Sequence, residues 1–193
     1  MQPQRIAVKF FVAPDPGATV DLHPFIGIFH RFIQKGALPG LLIDVADYAH
    51  VPHGPGVVLI GHEADYGIDL AGGRAGLYTT RKRLRETPLA ESLRDTLRRA
   101  LAALAAIESQ PEAGLRFAAN AFQLDLLDRL AAPNEPAASA AAEREIAPLC
   151  AALYGAGAFR VERTGADEPR RPLGLAVAAQ GAHAAQALAA RLA

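Results

Sequence analysis

The chain has 193 residues, 51% of them hydrophobic, and its twenty basic and twenty acidic side chains cancel. That length supports a sizeable core without staples, and the neutral balance gives no global field for nucleic acid or an anionic membrane surface. The single cysteine, Cys150, cannot close an internal disulfide, which points to a reducing, cytoplasmic setting.

The first apolar run, Ile6 to Ala13, is broken by Lys9 and reads as a strand, too short for a signal core. No run reaches the roughly 20 apolar residues of a membrane span. After Pro14-Asp15-Pro16-Gly17, a helix capped by Thr19 or Asp21 is expected. Its apolar face is Leu22, Phe25, Ile26, Phe29, Phe32 and Ile33, and Gly36 or Pro39-Gly40 ends it. Leu41 to Asp47 is a second strand, and the loop from His50 to Gly56 leads to a third, Val57 to Gly61. Tyr66 to Leu70 and Ala75 to Thr80 flank Ala71-Gly72-Gly73-Arg74. Its paired glycines supply the positive φ of a hairpin turn.

Thr87-Pro88 starts a helix with the stripe Leu89, Leu93, Leu97, Leu101 and Leu104. Leu115 to Leu126 is extended, with its alternation disturbed at Phe122. A helix capped by Asn134 contains Pro148, an expected kink, and carries Cys150, which reads as a small buried side chain. Phe159 to Arg163 and Leu173 to Ala179 form a hairpin, and His183 to Leu192 a terminal helix. This order predicts an α+β fold, a mainly antiparallel sheet with helices on one face. A βαββα rhythm repeats across residues 1–110 and 111–193, so one compact domain with two ferredoxin-like pseudo-repeats is the expected organisation.

Chemistry-bearing residues concentrate between Asp44 and Asp69, which hold three of the six histidines, five carboxylates and two tyrosines. His62 ends a strand and is the leading acid–base candidate, with Asp44 or Asp65 as its carboxylate partner. His50, His53, Glu63 and Tyr66 are the surrounding binding candidates. Imidazole and carboxylate together are also a metal-ligand set, but no metal spacing is present: His62-Glu63-Ala64-Asp65-Tyr66 has Tyr66 where a zincin needs its second histidine. A hairpin would hold His50 and His53 roughly 17–20 Å from His62.

The basic run Arg81-Lys82-Arg83-Leu84-Arg85, with Arg74 and Tyr78 near it, offers a phosphate or carboxylate receptor in which Arg74 and Arg81 are the binding candidates. A solvated strand end is the simpler meaning of such a run. No phosphate loop, dinucleotide fingerprint or serine-nucleophile elbow occurs, and the sequence names no cofactor. Two functions follow: a small-molecule-binding or enzymatic protein with its site in residues 44–69, or a non-catalytic module that self-associates as a homodimer.

Overall fold

The structure is a computed structural model that describes residues 1–13, 20–51, 54–84 and 87–192. Eight strands are β1 (Ile6–Ala13), β2 (Leu42–Tyr48), β3 (Gly56–Gly61), β4 (Ala64–Asp69), β5 (Gly76–Arg81), β6 (Arg116–Leu126), β7 (Phe159–Thr164) and β8 (Leu173–Ala179). Four helices are α1 (His23–Lys35), α2 (Leu89–Glu108), α3 (Pro136–Tyr154) and α4 (Ala185–Arg191). The strands form one antiparallel sheet in the order β2-β3-β4-β5-β1-β6-β8-β7.

The α+β fold with helices on one face therefore stands. Alternation along β1 explains why: Ile6, Val8, Phe10 and Val12 are buried, whereas Ala7, Lys9 and Phe11 turn to the other side. Register carries this division across the sheet, matching Phe10 with Leu77 of β5 and Phe122 of β6. The helices pack on the face that these residues share, α1 over β2 and β3, α2 over β1 and β5, α3 over β7 and β8. Among the described residues the opposite face carries no helix.

On α1, Phe25, Ile28, Phe29 and Phe32 are buried, Leu22 packs with them, and Ile26 and Ile33 flank the core. Ile28 lies outside the predicted stripe because the buried arc is wider than one row of side chains. Asp21 does not occupy the cap position of α1: Leu22 does, without a side-chain cap. The Asp21 carboxylate, one residue earlier, accepts from the His23 N–H at 3.0 Å, and Thr19 lies outside the described residues. All five leucines of the α2 stripe are buried. Gly72 and Gly73 have φ of 69° and 70°, as the turn requires.

The reading of Asn134 changes. Asn134 does not cap α3; Glu135 precedes that helix. Asn134 is instead a buried strut whose amide donates to the carbonyls of Gly165 and Glu168 in the β7–β8 loop, while Arg163 donates to its side chain and its carbonyl. The disturbance at Phe122 is a register shift: Phe10 pairs with Phe122 but Val12 with Phe117, so β6 carries extra residues that bend it.

The order does not establish ferredoxin-like halves. In the second half one strand, β8, lies between β6 and β7. In the first, three strands lie between β1 and β2. The halves meet at the β1–β6 pair within one sheet. No helix among the described residues is long and apolar enough to cross a membrane.

Candidate functional site

The helix-free face is cleared by glycines. A Cβ on Gly67 would meet Tyr78 Cε1 at 2.5 Å, one on Gly76 would meet Lys9 Cε at 2.8 Å, and one on Gly174 would meet Asp125 Oδ1 at 2.8 Å. Each missing side chain is thus the space into which a polar neighbour on the adjacent strand lies down. Lys9 sits in the centre, with Tyr78 of β5 and Gln123 of β6 as its direct cross-strand partners.

A hollow of 410 Å³ forms over these residues, lined also by Phe11, Asp69, Arg74, Asp125 and Arg171. Lys9 Nζ donates to Asp69 at 2.5 Å and to the Ala71 carbonyl at 3.2 Å. Both partners of that ion pair are only 13% exposed. Burial pushes the Asp69 carboxyl above its ordinary value, against the pull of Lys9. Asp125 accepts from the Gln123 amide at 2.9 and 3.0 Å. Burial raises its carboxyl too, opposed by Gln123 and by the charges of Arg171 and Lys9. Burial, with the charges of Asp69 and Asp65 nearby, holds Tyr78 as a neutral phenol. The Arg74 guanidinium lies 3.6 Å over the Phe11 ring. The hollow therefore offers cations, carboxyls, an amide and a hydroxyl donor around one aromatic plate, a set that orients a polar guest.

The residues picked out by sequence are dispersed. His62 is exposed in the two-residue turn between β3 and β4, with Arg83 Nη1 2.9 Å from either ring nitrogen. Among the described residues no hydrogen bond joins His62 to a carboxylate. Asp44, opposite Ile60, is exposed, and its carboxylate accepts from the Val45 N–H. Asp65 shares the helix-free face but is held by Lys82 at 2.8 Å. His50 is exposed at the far end of the β2–β3 hairpin, and His53 lies outside the described residues.

Glu63, Tyr66 and Arg81 join a different cluster, beneath α2. Asp95 accepts from Arg81 at 2.6 Å and from Arg99 at 3.0 Å, and Arg99 also donates to Glu63 at 2.6 Å. Burial works against the charge of Asp95, but these hydrogen bonds hold its carboxyl below the ordinary value. Arg81 Nη1 also donates to the Glu63 and Lys82 carbonyls, so Arg81 clamps α2 to the sheet. Tyr66 is buried here; burial keeps its phenol protonated despite the nearby Arg99, and the two do not reach hydrogen-bond geometry.

Among the described residues no three His, Cys, Asp or Glu side chains gather to hold a metal ion. Sequence reasoning singled out Arg74, with Tyr78 near it, and reached Asp69 only as the boundary of the Asp44–Asp69 segment; it missed Lys9, Gln123 and Asp125. Lys9 interrupting an apolar strand was the one available signal, because a charge there must find a partner or water. The chain matches no protein-family model, no curated protein and no solved structure.

Proposed function

We propose that the chain binds a small polar molecule in the hollow on the helix-free face, with Lys9, Asp69, Tyr78, Gln123 and Asp125 as its floor. Asp69, the last residue of the Asp44–Asp69 segment, is the part of that segment that reaches the hollow. The observation that carries the reading is the Lys9–Asp69 pair, 13% exposed on a face where the described residues place no helix. A face that is merely wetted keeps its charges extended into water. Here they lie in glycine-cleared space, and Asp125 bears a desolvation penalty that stability alone does not reward.

Amide NMR of the full chain, titrated with a library of small polar compounds, tests this. Shifts should cluster at Lys9, Tyr78, Gln123 and Asp125, and Tyr78→Phe should weaken binding about tenfold, as loss of one buried hydroxyl contact does. Shifts confined to the His62 turn would move the site there, and a silent face would end the proposal.

A second reading has its own support: self-association through β2. This edge strand and its approach expose Leu41 (66%) and Ile43 (53%), whereas the opposite edge, β7, is guarded by Arg160 and Glu162. Light scattering should give a dimer that Ile43→Lys converts to monomer; a monomer at high micromolar concentration rejects it.

A further inference from the structure

We infer that the guest in this hollow carries an acid group, and that Arg74, stacked on Phe11, is its receptor. The inference rests on the binding reading above and names the ligand class. Three cations line the hollow, and two already have carboxylates: Lys9 has Asp69 at 2.5 Å, and Arg171 has Glu168 at 3.0 Å. Among the described residues Arg74 makes no ion pair and no side-chain hydrogen bond. Its guanidinium carbon rests 3.6 Å over the Phe11 ring instead.

Stacking occupies one face of a guanidinium and leaves its N–H donors, which lie in the plane, free at the edge. Those donors match a carboxylate or a phosphate two at a time. The ring also restrains a side chain that would otherwise lose rotamer freedom on binding. Arg74 follows Gly72 and Gly73 in the β4–β5 turn, so the turn that closes the hairpin also places the cation at the rim.

At the other end of the hollow Asp125 sits with Arg171, whose guanidinium is paired with Glu168. Asp125 lies across from Ala7, four residues along β1 from Phe11, which is about 13 Å of strand. Its carboxyl and the Gln123 side chain present acceptors, suited to a hydroxyl or an amine. A hydroxy acid or amino acid meets both ends only if several carbons separate its two groups, with the acid group toward Arg74 and the hydroxyl or amine toward Asp125.

The test uses the full chain and a panel of hydroxy and amino acids of graded chain length, each paired with its primary amide, read by amide NMR titration. Acids should bind at least tenfold tighter than their amides. Arg74→Gln should erase that preference, so that acids bind no more tightly than their amides, and Arg74→Lys should keep part of it. Arg74 is exposed, so both variants should retain the parent spectrum elsewhere. Amides binding as well as acids would overturn the acid receptor and leave the binding hollow standing. Tight acid binding that survives Arg74→Gln would do the same. If neither kind of compound shifts the face, both readings fall.

Discussion

Gly67 and Tyr78 face each other across β4 and β5, and the Tyr78 ring fills the space where a Gly67 side chain would stand. Gly67→Ala should cost about 1–3 kcal/mol by overpacking. The same substitution in a Tyr78→Ala background should cost far less, since the ring it displaces is gone. Chemical denaturation of the four proteins measures this coupling; equal costs in both backgrounds would show that the ring does not rest on Gly67.

Phe29 is fully buried between Phe25 and Phe32, with ring centroids 6.0 and 6.1 Å away. Phe29→Ala should destabilise the fold by about 3–5 kcal/mol. A loss under about 0.5 kcal/mol would mean that α1 does not dock on β2 and β3 through this face.

Asp125 gives a pH dependence. Its carboxyl is raised above 3.8, chiefly by burial, so the folded chain holds this proton more tightly than the unfolded chain does. Asp125 therefore weakens the fold as pH rises from about 3.8 through the raised value, and the penalty is fully present above that window. Asp125→Asn should melt higher than the parent at pH 7, with the gap closing below about pH 3.8. A variant that melts lower at pH 7 would mean that the carboxylate is stabilised in place, contrary to the direction given by burial.

Cys150 is fully buried on α3, and burial pushes its thiol up to about 12. Alkylation at pH 8 should leave the native thiol unmodified and label it fully in denaturant. Rapid native labelling would show that α3 opens readily or sits differently on β7 and β8.

Where an element's character depends on residues close in the chain, it was legible in one dimension. The alternation in β1 separates Val8 and Phe10 from Lys9, and the leucine stripe of α2 declares its buried side. Paired glycines at 72 and 73 announce the turn. Backbone geometry enforces these periods whatever surrounds them. They fail at Asn134, because a cap and a strut use the same side chain and only the β7–β8 loop decides between them.

The site depended on pairings that no local pattern encodes. Density of histidines and carboxylates between Asp44 and Asp69 is proximity along a chain, and the hairpins spread those residues to a turn, an edge strand and the underside of α2. Alternation tells that Lys9 and Phe10 look opposite ways, but not that β1 lies between β5 and β6. That placement brings Asp69 to Lys9 across 60 positions and sets Gln123 beside it. The sequence by itself determined the elements, their faces and the one-sided helical layer, because these follow from backbone period and apolar burial. Only the tertiary structure decided which polar residues share the open face, because strand order is fixed by the packing of the whole sheet.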